Sequence, residues 1–456
     1  MNTNRFPFKK TFAMLTAVFS LTFYFSFCQH TESVKTPTAS KTIVLASPGD
    51  ITIATAPSDK QVKSELAEVK HKMSMNTPAV LQHIRYWDSG SPAYRWNQIG
   101  YQLTGAQFFV NNGLTFFKGP MAWMNMAIYD ATVAALKAKQ QASRKRPFQV
   151  DASIIPVVKA PDTYSYPCEH AVTAGAAATV LAHFFPEAAD SIISLGKQAA
   201  ESRVAAGVQF PSDVEQGWKL GEQVAEKVIE KSKVHLPDAP WSGSQPNDTR
   251  HWKGPYPVGA ITTTFKPLIL KSGDQFRPAA PPDFAKEMEQ IKNFKQNFYT
   301  VSQAYYWAAH SGLDIWTDIA NAKIFEYHLD KNTLECARIY AMLHMGIYDC
   351  AIAIMDAKYA YFGIRPDQMD PNFKPLIGYT PPFPGYPSGH ATASSTAAAI
   401  LSHFFPNDAP MFRQLAKECA DSRFYAGIHF PTDNNVGLDI GEKIGDYVFA
   451  TLSKKM

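Results

Sequence analysis

The chain repeats itself, and that repetition restricts its fold more than any single motif does. Tyr86-Trp87 recurs as Tyr306-Trp307 and Trp96 as Trp316, at an offset of 220 residues. Ile128-Tyr129-Asp130 recurs as Ile347-Tyr348-Asp349 at an offset of 219, and Lys139, Arg146 and Pro147 recur as Lys358, Arg365 and Pro366. The offset then returns to 220, where "HFFP" at 183 meets "HFFP" at 403, and "AESRVAAGVQFPSD" at 200 meets "ADSRFYAGIHFPTD" at 420. A match this long places homologous units at 80–233 and 300–456. Between them, 234–299 reads as a Pro-bearing connector in which "PWSGSQPND" and "FRPAAPP" are too broken for long helices.

Within each unit the apolar residues recur every three or four positions, as in "CARIYAMLHMGIYDCAIAIMDAKYAYF" and "VGLDIGEKIGDYVFATLSKK", while alternating patterns are scarce. The expected fold class is therefore all-α, two related helical bundles produced by an internal duplication. The run Ala391 to Ala399 is nearly all Ala, Ser and Thr, which lets a helix approach a neighbour's backbone closely. With 46% hydrophobic residues there is ample core, and a net charge of +4 without long basic runs argues against a nucleic-acid partner.

Arg5, Lys9 and Lys10 precede an apolar run from Phe12 to Phe27 that ends at Cys28, so residues 1–28 read as a signal peptide. Ser26 suits a lipid-modified Cys28 and Phe27 does not, so a lipoprotein signal and an uncleaved anchor both stay open. Residues 29–79, rich in Thr, Ser, Lys and Pro, read as a flexible spacer. No other stretch looks long and apolar enough to span a bilayer. These features place the protein in the periplasm or cell envelope, touching membrane only through an N-terminal anchor. Cys168, Cys336, Cys350 and Cys419 form no C-x-x-C pair and read as small buried thiols, with pairing in an oxidising compartment left open.

The second unit concentrates chemistry. Lys358 and Arg365 are seven residues apart, two turns along one face if their helix continues to Pro366, and Arg423 adds a third cation. Three fixed charges, two of them guanidiniums, suit a tetrahedral oxyanion better than a single carboxylate. Ser388 and Gly389 precede a helix start, where free N–H groups also attract anions. His429 and Asp433 are four apart with Pro431 between them, a turn in which a carboxylate holds one ring nitrogen and leaves the other free. His390 is placed for acid–base work. Singly, each signal is more often structural; their ordered occurrence is not.

"KYAYFGIRP", "YPSGHA" and "SRFYAGIHFPTD" resemble the signature of the superfamily that holds the type-2 phosphatidic acid phosphatases and the vanadium-dependent haloperoxidases, and the soluble, bacterial haloperoxidase-like branch in particular. The resemblance implies that Lys358, Arg365, Ser388, Gly389 and Arg423 bind the oxygens of vanadate or phosphate. It implies that His429 is the vanadate ligand or phosphoryl-accepting nucleophile, oriented by Asp433, and that His390 is the acid–base group. The implied activity is halide oxidation by hydrogen peroxide with vanadate as cofactor. The alternative is a periplasmic acid phosphatase that takes a phosphomonoester through a phosphohistidine and needs no cofactor; a non-catalytic envelope protein is a third reading.

The first unit keeps Lys139, Arg146, His170, Arg203 and Asp213, yet has Gln209 at the nucleophile position and Cys168-Glu169 in the turn. Gln cannot do what imidazole does, so this copy reads as silent, its charges pairing with Glu169 and Asp213; the rival reading is a second oxyanion-binding site. Trp307, His310 and Asp314 are candidates for the pocket mouth. Trp307 has a counterpart in the silent unit, which favours core packing; His310 aligns with Gly90 and has none.

Overall fold

The computed structural model describes residues 40–108, 117–254, 257–309 and 314–456; the signal-like run, Cys28 and His310 lie outside them. The described residues contain helices, turns and one isolated bridge between His251 and Gly363, and no strand. Among the described residues, seven longer helices run up to His235 and seven from Ala285 onward mirror them. The first set is α1 (Asp59–Ser74), α2 (Pro78–Asp88), α3 (Pro92–Phe108), α4 (Pro120–Ala142), α5 (Glu169–Phe184), α6 (Ala189–Ala205) and α7 (Pro211–His235). The second is α8 (Ala285–Asn293), α9 (Phe298–Ala309), α10 (Asp314–Glu326), α11 (Thr333–Tyr361), α12 (Gly389–Phe404), α13 (Ala409–Tyr425) and α14 (Pro431–Leu452).

The duplication reaches further toward the N-terminus than the self-match shows. Asp130 on α4 accepts the backbone N–H groups of Ile43, Val44 and Leu45, and its twin Asp349 on α11 accepts those of Leu268, Ile269 and Leu270. The Tyr166 hydroxyl donates to the Ala54 carbonyl as the Tyr386 hydroxyl does to that of Ala279. Glu65 on α1 accepts from the Ser212 N–H, and Glu287 on α8 from the Thr432 N–H. The expected spacer is therefore corrected over 40–79: it is a strap with a buried Leu45, followed by a helix whose Val69 is fully buried. Much of the expected connector is the second unit's own strap and helix. A strap bound through consecutive N–H groups needs no side-chain pattern, and its offset drifts from 225 to 220, which is why a gapless comparison passes over it.

The two units share one core. Trp123, Met124 and Ala127 of α4 lie in the same buried cluster as Tyr340, Leu343 and Ile347 of α11. By length and composition α11 alone among the described helices could cross a membrane, contrary to the sequence expectation; 89% of its apolar window is buried inside the protein, so that surface is already spent. The described cysteines are all buried free thiols.

The small-residue stripes work as close approaches. Gly437, Gly441 and Gly445 on α14 face α12, and a Cβ on Gly441 would stand 2.3 Å from the Thr392 carbonyl oxygen. Gly221 faces the Val172 carbonyl in the first unit in the same way. Both ends of the cradle described below depend on this contact, since α12 carries His390 and α14 carries Asp433.

Candidate functional site

The expected single helical face for Lys358 and Arg365 is not what forms. α11 stops at Tyr361, with Phe362 in the left-handed region at φ 50°, and Arg365 caps a separate one-turn helix, Pro366–Met369. The two side chains converge because the chain reverses between them, secured by the Trp252 N–H on the Phe362 carbonyl and the Gly385 N–H on that of Gly363. Lys358 is fully buried and gives its three protons to the carbonyls of Pro384, Gly385 and Pro387, at 2.6, 2.8 and 2.7 Å. It thereby shapes the loop that delivers Ser388. Burial, then the Arg365 charge, holds its pKa well below the usual lysine range.

Arg365 is also fully buried. Its Nη1 donates to the Ile428 carbonyl at 2.8 Å and lies 3.0 Å from His429 Nε2, while Nε and Nη2 donate to the Phe383 carbonyl. A guanidinium can only donate, so Nε2 of His429 carries a lone pair and its Nδ1 carries the proton. That proton goes to Asp433 Oδ2, 2.9 Å away. The local fold makes this geometry: Phe430 caps α14, and Asp433, in its first turn, also accepts the Phe430 N–H at 3.1 Å. Burial, then the charges of Arg365 and Lys358, keeps His429 neutral by holding its pKa well below the usual histidine range. Burial pushes that of Asp433 up.

Ser388 caps α12, its hydroxyl accepting from the Ala391 N–H. Beyond Gly389 there is open space: a Cβ there would meet only Ile354 Cγ2, at 3.8 Å. His390 follows, its Nε2 buried and without a hydrogen-bond partner. Burial, and next the Arg423 charge, pushes its pKa down to about 3, so the ring is neutral near pH 7. Arg423 donates through Nε to the Ser422 hydroxyl and through Nη2 to the Ala304 carbonyl. Trp307 is buried against Ile315 and Cys419 with its indole N–H on Gln303, so it packs the core under His390 rather than lining a mouth.

The silent unit shows what these positions do when the chemistry is removed. Arg203 makes the same two contacts as Arg423, to Ser202 and the Ile84 carbonyl, and adds Asp88 at 2.7 Å. Ala308 stands where Asp88 would fall, so among the described residues Arg423 has no ion pair. Asp213, lacking a histidine to orient, binds Arg144 at 2.6 Å and the Ser165 hydroxyl at 2.5 Å. Gly363 and Gly385 occupy those two positions in the second unit. The expected pairing thus holds for Lys139 and Arg146, which bind Glu169, and is corrected for Arg203, which takes Asp88. Ala308 and Glu287 were legible in principle by carrying the self-comparison into the flanks; Phe383, which offers only a carbonyl and a ring, was not.

Glu169 also tests whether an oxyanion fits. Its carboxylate lies 2.8 Å from Lys139 Nζ, 3.0 Å from Arg146 Nη2 and 3.2 Å from Gln209 Nε2, the counterparts of Lys358, Arg365 and His429. An anion is therefore at home among those three positions, and Gly389 leaves the matching space free in the second unit. The groups there are cations, N–H groups and one imidazole nitrogen with a lone pair, a set that suits vanadate or phosphate. Among the described residues no group of three or more His, Cys, Asp and Glu could hold a bare metal ion.

The sequence profile of the PAP2 superfamily matches the chain twice, over residues 121–226 and 339–456. A bacterial vanadium-dependent iodoperoxidase is similar in structure at 20% identity and a TM-score of 0.58, over 87% of this chain and 98% of that one. A holo-type bacterial vanadium-dependent chloroperoxidase is similar at 15% identity and a TM-score of 0.54, over 75% and 92% of the respective chains. At these identities the likeness is one of fold. No curated sequence matches the chain.

Proposed function

The chain belongs to the PAP2 superfamily, and from that premise we propose that it is a vanadium-dependent haloperoxidase-like enzyme, oxidising halide with hydrogen peroxide in its second repeat. The observation that carries the reading is the Nε2 lone pair of a neutral His429, held by Asp433 behind the ring and accepting from Arg365 in front of it. His429 Nε2 would hold vanadate, with Lys358, Arg365 and Arg423 balancing its charge and the N–H groups at the start of α12 receiving its oxygens. When bound, vanadate supplies Lewis-acid activation of peroxide toward halide without changing oxidation state. His390 takes a proton at its unpartnered Nε2 as peroxide enters, and returns it to the departing oxygen. The burial of Arg423, with no ion pair among the described residues, keeps the site attractive to anions.

The same lone pair suits attack on the phosphorus of a phosphomonoester, with His390 passing to the leaving alcohol a proton taken from the bound monoester monoanion, and water then clearing the phosphohistidine. One experiment separates the two. Purified protein is reconstituted with orthovanadate and assayed for bromide and iodide oxidation, beside phosphomonoester hydrolysis of the vanadate-free protein. Halide oxidation that vanishes in His429→Ala supports the proposal. Hydrolysis inhibited by vanadate, with no halide oxidised, replaces it with the phosphatase reading.

A further inference from the structure

The first repeat has a cation cage of its own, and that cage is filled from within. Glu169 is the first residue of α5, where the second repeat has Gly389, and its carboxylate touches Lys139, Arg146 and Gln209. The rest of a cradle persists around it. Cys168 caps α5 as Ser388 caps α12, each accepting from the N–H three residues on. His170 keeps a buried Nε2 with no partner, as His390 does. Lys139 gives two bonds to the carbonyls of Tyr164 and Ser165, which align with Pro384 and Gly385, and its third to Glu169 instead of a counterpart of Pro387.

We propose that the first repeat is an oxyanion site closed by Glu169, which serves as its permanent internal ligand, and that removing this carboxylate opens it to one small tetrahedral oxyanion such as inorganic phosphate. Without Glu169, Lys139 and Arg146 are buried charges lacking a counter-ion, an arrangement that strongly favours capture of any anion that fits. Two carboxylates of the same repeat are committed elsewhere: Asp213 to Arg144, Ser165 and the Phe210 N–H, and Asp88 to Arg203. A glycine at 169 would leave the space that Gly389 leaves in the second repeat, next to the same helix start. Burial alone would raise the Glu169 pKa, yet Lys139 and Arg146 hold it well below the usual carboxylate range, so the wild-type site stays shut at ordinary pH. Because Asp88 already neutralises Arg203, the opened site is weaker than the second-repeat cradle. The inference stands whether the second repeat oxidises halide or hydrolyses esters.

The test is equilibrium dialysis of the full chain against radiolabelled inorganic phosphate, comparing stoichiometries so that binding in the second repeat cancels. Glu169→Gly should take up one phosphate per chain more than wild type, and Glu169→Gly/Arg146→Ala should lose it. Glu169→Gln, whose amide still fills the space, should bind no extra phosphate. Wild-type stoichiometry in a folded Glu169→Gly protein overturns the proposal, and so does extra phosphate that survives loss of Arg146. If Glu169→Gly melts too low for dialysis, its melting temperature is followed in phosphate and in chloride at equal ionic strength. A rise specific to phosphate and larger than that of wild type supports the site, and a phosphate response no larger than that of wild type overturns it.

Discussion

Arg365 Nη1 stands 3.0 Å from His429 Nε2, so the guanidinium donates to the ring nitrogen that keeps its lone pair while Asp433 takes the proton of the other. The same guanidinium reaches the Ile428 and Phe383 carbonyls, which only a planar fork can serve together. Arg365→Lys keeps the charge and loses the fork. One lost hydrogen bond to a charged group is worth about 1.5–3 kcal/mol, so orthovanadate affinity should fall by about 10- to 100-fold. Ultrafiltration binding measures this, and an unchanged dissociation constant would show that charge alone matters at this position.

Ala308 is the second point at which the two repeats part. Arg203 is neutralised by Asp88, and Arg423 is not, because the corresponding residue has no carboxylate. Ala308→Asp should reproduce the silent arrangement, placing a carboxylate on Arg423 and weakening oxyanion binding by about tenfold or more while the protein stays folded. Binding titration with orthovanadate reads the effect. The control is Ala308→Asn, which adds similar bulk without the charge and should fall much less.

Much of this site was legible in the sequence: Lys358, Arg365, His390, Arg423 and Asp433 recur in the first repeat, and Ser388 and His429 are where the second repeat alone has the side chains the chemistry needs. What the sequence could not carry is geometry set by the backbone. The reversal at Phe362, which replaces a shared helical face, depends on one left-handed residue and two main-chain bonds. The straps held by Asp130 and Asp349 are bound through N–H groups that every non-proline residue has. The aspartates themselves were seen as matched residues, yet nothing in their spacing says which segment, 79 to 87 residues away, they hold.

Acid should expose the cost of burying neutral imidazoles. His170, His344 and His390 are each pushed down to about 3 by burial, from an ordinary value of 6.5. Below pH 6.5 the unfolded chain binds protons that the folded one refuses, so stability falls as pH drops from about 6.5 toward 3 and is unaffected above that window. Each such group contributes a slope of about 1.4 kcal/mol per pH unit once well inside the window. His344, between Tyr101 and Thr317, lies outside the cradle and tests this cleanly. His344→Gln should make urea midpoints less sensitive to pH between 6 and 4.5 by about one proton's worth. An identical pH slope would mean that His344 opens to water and titrates normally.

Two glycines near the cradle should respond oppositely to the same added methyl group. At Gly441 a Cβ would fall 2.3 Å from the Thr392 carbonyl oxygen, a backbone atom that cannot turn aside, so Gly441→Ala must push α14 away from α12. Overpacking of this kind costs about 1–3 kcal/mol, and the melting temperature should drop accordingly. At Gly389 the nearest atom is 3.8 Å away and the residue opens a helix, so Gly389→Ala should leave stability within about 0.5 kcal/mol of wild type. The new methyl group would instead enter the space that the Glu169 side chain fills in the other repeat, and should weaken orthovanadate or phosphate binding. Melting curves and binding titrations on both variants decide the matter: a Gly389→Ala protein that binds oxyanion as tightly as wild type would mean the anion does not sit in front of this residue.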